Sequence, residues 1–319
     1  MLPKPAPPAA VAYWELTVSL AASAAETAEA VTNRLWELGA VGVVEEAPPD
    51  EATALRAFFP PSIEPATLTR DLRAYLDDLV GLALPGAAAR IDVAPLADEP
   101  WADAWRAHFR PVPVGRSLVV SPPWEVLSAD LVAGRLVVWI EPGRAFGTGG
   151  HGSTRSCLQL LERALGAVPV GHALDVGCGS GILAIAAAGL GVPRVDAFDI
   201  DPDAVAATSE NAGRNGVEDR VHARVGAADA WDGSPAPLVL ANLLAAAHIT
   251  LAPALARLIT TGGRLIAGGL LAHEVPIVAG AFAAEGCWLA EVCEDDGWAA
   301  LLLNRGASGA GMPGRADAR

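Results

Sequence analysis

The sequence predicts an α/β protein in which a small α+β domain precedes a larger, doubly wound domain with a seven-stranded sheet. Strand-like and helix-like patterns follow the order β-α-β-β-α-β over residues 11–95. A short apolar strand, a glycine loop and an apolar helix then follow one another over residues 173–190. Beyond them strands and helices alternate, which is typical of a sheet covered by helices on both faces.

The elements of the small domain each carry a local signal. A helix that begins near Ser23 ends at Gly39, and Pro65 opens a second helix whose leucines repeat at helical spacing up to Gly81. Strands are predicted at residues 11–20, 40–46, 53–59 and 88–95. This order predicts a ferredoxin-like domain.

A connecting segment comes next, in which Trp101, Trp105 and His108 share one face at helical spacing. This pattern predicts a linker helix. Strands at 118–121 and 136–141, joined by a turn at 122–125, then begin the large domain. The predicted organisation is a disordered leader 1–10, a ferredoxin-like domain 11–95, a linker helix 96–115, a doubly wound domain 116–305 and a flexible tail 306–319.

The glycine loop of the large domain reads A-L-D-V-G-C-G-S-G and ends at Gly181. Gly177, Gly179 and Gly181 let the backbone turn tightly, so that its N–H groups and the following helix N-terminus can point at a ligand. A dinucleotide fingerprint needs glycine at position 182, where Ile182 stands. The spacing D-x-G-x-G-x-G resembles motif I of S-adenosylmethionine (SAM) methyltransferases instead.

Acidic residues follow the next two predicted strands. Asp199 comes about 20 residues after the glycine loop, where doubly wound folds hold a ribose with a carboxylate that accepts from two hydroxyls. Asp201 precedes Pro202, which predicts a helix N-cap rather than a ligand. Asp229 follows the third strand, where such folds often recognise an adenine amino group, although a solvated loop carboxylate is the competing interpretation.

Asn242 ends the fourth strand, on the ligand edge of a parallel sheet. A polar amide closing a strand of Val, Leu and Ala needs partners, so we expect it to bind. His248 could line a substrate mouth, but the favoured prediction is a helix-surface histidine. Three further strands complete a set of seven, the last two forming a hairpin, at residues 264–267, 288–293 and 298–303.

Another glycine-rich loop, which we call the second glycine loop, lies earlier in the chain, at residues 141–155, and reads E-P-G-R-A-F-G-T-G-G-H-G-S-T-R. Its polar and aromatic residues Phe146, Thr148, His151 and Thr154 alternate with glycines, and a helix begins near Ser153. Ordering so many glycines costs entropy, which indicates a loop that closes over a ligand. Phe146 is a candidate to stack on that ligand.

The composition narrows the class of partner. With 37 acidic and 22 basic residues the net charge is −15, which disfavours nucleic acid and favours a basic polypeptide. The four cysteines show neither C-x-x-C nor zinc spacing, so no metal is expected. The N-terminus lacks a signal-peptide pattern and no window is an uninterrupted apolar span, which predicts a cytoplasmic protein without a membrane segment.

Taken together, P-G-R-A-F-G-T-G-G-H-G-S-T-R, D-V-G-C-G-S-G-I-L-A-I-A-A, D-I-D-P and A-N-L-L-A resemble the ribosomal protein L11 methyltransferase (PrmA) family, over residues 11–305. The resemblance implies a SAM-binding seven-stranded domain and an N-terminal domain that recognises the ribosomal protein. It also implies methylation of lysine ε-amino or N-terminal α-amino groups. The SAM contacts it implies are Thr154, Gly177, Asp199 and Asn242, and Asn242 is also a candidate to orient the amine. Further candidate contacts are Phe146, Thr148, Gly179 and Asp229.

The chain departs from the family pattern in three places. Gly150 stands where Thr or His is usual, Gly152-Ser153 where Pro-Thr or Glu-Thr is usual, and residues 245–250 read A-A-A-H-I-T. Two alternatives therefore stay open: a methyltransferase of another protein or small amine, and a SAM-binding regulator without catalysis. Leu243 and Leu244 replace the prolines of the N-P-P-Y motif of release-factor methyltransferases, which disfavours glutamine methylation.

Overall fold

The computed structural model describes residues 11–21, 25–40, 42–46, 53–81, 89–97, 109–142 and 149–306. The chain divides into two compact units, Met1–Phe109 and Arg110–Arg319. Several predicted features lie outside the described residues, namely the leader 1–10, the aromatic face of the linker (Trp101, Trp105 and His108), Phe146, Thr148 and the tail beyond Gly306.

The first unit has the predicted ferredoxin-like order. Its elements are β1 (Val11–Leu20), α1 (Ala25–Glu37), β2 (Gly42–Glu46), β3 (Thr53–Phe59), α2 (Pro65–Gly81) and β4 (Arg90–Ala97). The four strands form a sheet in the order β2-β3-β1-β4, and every neighbouring pair is antiparallel. This arrangement confirms the predicted fold of the small domain.

The core of the first unit results from two periodicities. Alternate residues of β1, among them Leu16 and Val18, are fully buried, as expected of a strand with one face on the core. The leucine row of α2 covers the same core. The Thr67 N–H donates to the Glu64 carboxylate at 3.1 Å and to the Glu64 carbonyl at 3.0 Å, so this donor in the first turn of α2 is satisfied.

The second unit contains two sheets. Its elements are β5 (Val112–Val114), β6 (Leu118–Ser121), α3 (Ala129–Val132), β7 (Leu136–Trp139), α4 (Gly152–Ala167), β8 (Ala173–Val176), α5 (Ile182–Gly189), β9 (Val195–Asp199), α6 (Pro202–Arg214), β10 (Val221–Val225), β11 (Ala236–Asn242), α7 (Ala245–Leu258), β12 (Ile259–Leu271), α8 (Val275–Ala284), β13 (Cys287–Asp295) and β14 (Trp298–Arg305). The larger sheet has the order β10-β9-β8-β11-β12-β14-β13. Its seven strands confirm the predicted doubly wound domain.

Strand direction in this sheet places the site. The pairs from β10 to β12 are parallel, and β14 runs antiparallel to both of its neighbours. Helices α4 and α5 pack on one face and α7 and α8 on the other. The strand order reverses between β8 and β11, and ligands bind in such sheets at the carboxyl ends of the strands beside that switch point.

The segment between the predicted domains differs from its prediction. Strand β4 continues to Ala97 and Val112–Val114 forms β5, so these residues are not part of the linker helix predicted over 96–115. Residues 98–108 of that prediction lie outside the described residues. The turn at 122–125 is present, with the Glu125 N–H bonded to the Pro122 carbonyl at 3.3 Å. Because β6 and β7 are parallel, their connection must cross over, and it includes the helix α3. The three-residue strand β5 and the four-residue helix α3 were not predicted, because they are too short to show a period.

Candidate functional site

The glycine loop after β8 adopts a conformation that requires its glycines. Gly177, Gly179 and Gly181 have φ values of +68°, +52° and +79°, which side-chain-bearing residues rarely adopt. The N–H groups of Gly177 and Cys178 both donate to the carbonyl of Phe198, at 2.9 and 3.2 Å. The loop is thereby fastened to the end of β9, and α5 begins directly after it.

Asp199, at the end of β9, is bonded to this loop. Its Oδ2 accepts the Gly179 N–H at 3.0 Å, and its Oδ1 accepts the Asp201 N–H at 3.0 Å. Each carboxylate oxygen retains a further lone pair for a ligand hydroxyl. Asp201 accepts the Asp203 N–H at 2.9 Å as the N-cap of α6, so the prediction of a capping role is confirmed.

Two orphaned polar atoms mark the other side of the site. Thr154 Oγ1, in the first turn of α4, and Asn242 Oδ1, at the end of β11, are buried without a hydrogen-bond partner among the described residues. Leaving such atoms unpaired in a dry environment is unfavourable. Both residues were predicted from the sequence to contact a ligand, and a polar ligand would supply the missing partners.

Close contacts at two glycines show that the glycine loop, the end of β11 and α4 lie next to one another. A Cβ on Gly177 would lie 2.5 Å from the Leu243 side chain, so the glycine loop meets the segment after Asn242. A Cβ on Gly268 would overlap the Cys157 thiol of α4 and lie 3.2 Å from Asn242 Oδ1. The carboxyl ends of β8, β9 and β11 and the N-terminal half of α4 therefore lie close together and form one candidate site.

The start of α4 is held by a partly buried ion pair. The Arg155 guanidinium donates to both carboxylate oxygens of Asp295, at 2.9 and 2.7 Å, and also to the Gly150 carbonyl. His151 is the N-cap residue of the helix, and its ring lies 4.4 Å from that of Trp298, between centroids. Burial lowers the pKa of His151 to about 4, so this residue of the second glycine loop is neutral near pH 7.

An acidic residue that was not predicted to belong to the site lies beneath the glycine loop. Asp175 of β8 is buried and accepts the Ala184 N–H of α5 at 2.9 Å. Burial raises its pKa to about 7, and the nearby Asp199 charge acts in the same direction. Burial likewise raises the pKa of the adjacent Cys178 thiol to about 12, which makes it unreactive.

Asp175→Asn is expected to increase the free energy of unfolding of the ligand-free protein at alkaline pH, because it removes a buried carboxylate that becomes charged there. The folded state holds a proton on Asp175 up to about pH 7, whereas the unfolded chain releases it near pH 4. The stability contributed by the protonated form is therefore complete below about pH 4 and is lost as the pH rises to about 7. The variant keeps an acceptor for Ala184, so its free energy of unfolding should exceed the parent's by roughly 2–4 kcal/mol at pH 8.

Urea unfolding at pH 4.5 and pH 8 measures this difference. Asp219→Asn, which changes an exposed carboxylate, is the control and should alter the free energy of unfolding little at either pH. An equal gain for Asp175→Asn at both pH values would contradict a buried charge as the cause. Each variant must be compared with the parent at the same pH, because His248 also makes the stability of the parent depend on pH. Burial lowers the pKa of His248 to about 4, so the folded state loses stability as the pH falls from about 6.5, which is opposite to the effect of Asp175.

Other predicted residues lie differently. Asp229 is exposed in the loop after β10. This loop begins beside Asp199, because the Gly226 N–H bonds the Asp199 carbonyl at 2.9 Å. The role of Asp229 in recognising adenine stays a prediction.

The prediction that His248 is a helix-surface residue is wrong, because its side chain is fully buried. Its spacing from Ala252 and Leu255, also buried, is the i, i+4, i+7 pattern that marks a core face, and this signal was available.

The described residues contain no group of three or more His, Cys, Asp or Glu side chains that could hold a metal ion. Among their helices, none combines the length and the apolar character that crossing a membrane requires.

Comparison with known proteins identifies the family. A family model described as Ribosomal protein L11 methyltransferase (PrmA) matches residues 12–306. The chain belongs to this family. A ribosomal protein L11 methyltransferase of Pelotomaculum thermopropionicum is 37% identical over 298 residues, covering 86% of this chain and 94% of that protein. One of Geobacter metallireducens is 40% identical over 263 residues, covering 82% and 84%.

A solved structure supports the same conclusion. The crystal structure of a ribosomal protein L11 methylase from Lactobacillus delbrueckii subsp. bulgaricus is 30% identical, with a TM-score of 0.57. The match covers 62% of this chain and all of that chain. As a member of the L11 methyltransferase family, the chain is an enzyme that uses SAM as its cofactor.

The site at this edge of the L11 methyltransferase sheet fits SAM chemically. SAM presents a ribose with vicinal hydroxyls, from which a carboxylate such as Asp199 can accept. It also presents polar groups that can pair with the orphaned Thr154 Oγ1 and Asn242 Oδ1. The glycines of the loop allow a close backbone approach on the side of β8.

Proposed function

We propose that this chain transfers methyl groups from SAM to lysine ε-amino groups, N-terminal α-amino groups, or both, of ribosomal protein L11. The observation that carries the proposal is the family match over residues 12–306, which includes the ferredoxin-like unit as well as the doubly wound one. In this proposal the enzyme acts in the cytoplasm, on L11 that is either free or part of the large ribosomal subunit. The net charge of −15 supports a basic polypeptide over a direct nucleic-acid contact.

In the proposed arrangement residues from the two glycine loops and two strand ends hold the cofactor. Asp199 accepts from the ribose hydroxyls, and Gly177 and Gly179 let the loop backbone approach the ligand. Thr154 Oγ1 and Asn242 Oδ1 pair with polar groups of the ligand, which would end their burial without partners. The further candidates are Phe146 and Thr148, in the second glycine loop, and Asp229.

When bound, SAM supplies an electrophilic methyl carbon on a positively charged sulfur. The protein's part is to exclude water and to orient the amine in line with that carbon. A lysine has a pKa near 10.4 in water, and desolvation in the site favours its neutral, nucleophilic form. The Asn242 carboxamide oxygen can accept an N–H of the neutral amine and so direct the nitrogen lone pair.

Transfer of labelled methyl from SAM to purified L11 tests the proposal. We expect labelled L11, and no label on L11 whose amines have been blocked by acetylation. The Asn242→Ala variant should transfer at least tenfold more slowly. Mass spectrometry of ribosomal proteins with and without the chain should find the added methyl groups on L11.

Three outcomes would contradict the proposal. Label on RNA or on small amines, but not on L11, would indicate another substrate. Label on acetylated L11 would indicate an acceptor other than an amine. SAM binding without transfer to any ribosomal fraction would indicate a regulator.

A further inference from the structure

His248 has an environment unlike that of an ordinary core residue. Its side chain is fully buried, and its Nε2 lies 2.8 Å from the Gly268 carbonyl oxygen. Because a carbonyl oxygen can only accept a hydrogen bond, Nε2 carries the proton. In the neutral ring Nδ1 is then unprotonated and can only accept. Nδ1 is buried and has no partner among the described residues. An apolar side chain would fill this space without that penalty, so the polar ring needs a reason.

The carbonyl that His248 contacts lies at a bend in β12. The pairing of β12 with β14 shifts register between Ala267 and Leu270, and Gly269 has a φ of +80°. The Gly268 carbonyl accepts a second hydrogen bond, from the Leu243 N–H at 3.1 Å. One oxygen thus joins the bend of β12, the start of α7 and the segment that follows Asn242.

The bend lies directly against the Asn242 carboxamide. Asn242 pairs with Gly268 in the parallel ladder, and a Cβ on Gly269 would lie 3.1 Å from Asn242 Oδ1. The same Cβ would overlap the Leu243 carbonyl oxygen, so the backbone here admits no side chain. A small movement of the Gly268-Gly269 peptide would therefore displace Asn242.

We propose that His248 is a positioning residue for the SAM and amine site, whose Nε2–H···O bond to Gly268 holds the bend that seats the Asn242 carboxamide. The inference rests on the proposed role of Asn242. His248 lies in α7 and contacts no reacting atom, so its proposed contribution to the site is indirect. The requirement is for a hydrogen-bond donor at this position rather than for an ionisable ring.

The test compares two substitutions of similar volume in the full-length chain. His248→Gln keeps an N–H donor, and His248→Met keeps the packing but has no donor. We expect the Kd for SAM, measured by titration calorimetry without substrate, to rise at least fivefold in His248→Met and to stay within twofold in His248→Gln. His248→Leu is a second variant without a donor, so that either apolar substitution can be used if the other does not fold.

A double-variant cycle separates positioning from loss of stability. If His248 acts through Asn242, the Kd of Asn242→Ala should not rise further when His248→Met is added. Leu255→Val, which trims a buried side chain on the same helix, is the control. It should lower the thermal midpoint and leave the Kd for SAM unchanged.

The outcomes distinguish this inference from the proposed function. Equal Kd values for the Gln and Met variants, or an additive loss in the double variant, would overturn the role of His248. An Asn242→Ala variant that binds SAM as the parent does would overturn the proposed site itself. Failure to methylate L11 would leave the SAM-binding comparison intact, because no substrate enters it.

Discussion

Asp199→Ala is expected to raise the Kd for SAM at least tenfold. The substitution removes the carboxylate proposed to accept both ribose hydroxyls, and hydrogen bonds to an ionised acceptor are about twice as strong as neutral ones. It also removes the acceptor of the Gly179 N–H, which fastens the glycine loop to β9. Titration calorimetry on the purified chain measures the change directly.

Asp201→Ala is the matched control for this prediction. Asp201 lies two residues further on and its exposed carboxylate caps α6 through Asp203. Losing the cap should reduce the free energy of unfolding by about 1 kcal/mol and leave the Kd for SAM unchanged. Equal affinities for Asp199→Ala and the parent would remove Asp199 from the site.

Gly152→Ala is expected to be strongly destabilising and to weaken SAM binding, although alanine is the better helix former. A Cβ on Gly152 would overlap the backbone carbonyl oxygen of Asp295 and lie 3.0 Å from the Trp298 ring. Relieving such an overlap typically costs about 1–3 kcal/mol. The movement needed would shift the first turn of α4, which carries Thr154. Thermal unfolding and the Kd for SAM should therefore change together.

Gly166→Ala, near the end of the same helix, is the matched substitution. A Cβ there meets nothing within 4 Å, so the change should raise the free energy of unfolding by about 0.5–1 kcal/mol and leave SAM binding unaltered. If both alanine variants proved stabilising, the close contact between Gly152 and Asp295 would be refuted.

The sequence was sufficient to predict the edge of the sheet that forms the candidate site. Short strands rich in apolar residues can be recognised from their composition, and in a parallel sheet the residues at their carboxyl ends must lie at one edge. Gly177, Asp199 and Asn242 each lie at the end of such a strand. Their convergence is therefore a consequence of topology, and the close approach of Gly177 to Leu243 agrees with it.

The features that the sequence could not supply depend on contacts between distant segments. The raised pKa of Asp175 depends on how completely α5 covers it. The bend at Gly268 depends on the pairing of β12 with both β11 and β14. The burial of His248, by contrast, is consistent with its helical spacing from the apolar Ala252 and Leu255, a pattern that the sequence does contain. The partner of Arg155 is 140 residues away in sequence, and no local pattern indicates it.

The hairpin that holds α4 has a consequence for synthesis of the chain. Strand β14 is the last strand along the described part of the chain, yet it lies between β12 and β13 rather than at an edge. Asp295 is the last residue of β13, directly before the turn to β14, and it fixes the start of α4 beside Thr154. A chain emerging from the ribosome can therefore bring its glycine loop against β9 early, but it cannot complete the candidate site until β14 has been released. Protein truncated before Trp298 would lack β14, the strand that joins β13 to β12, so Asp295 would lose its attachment to the sheet beside α4.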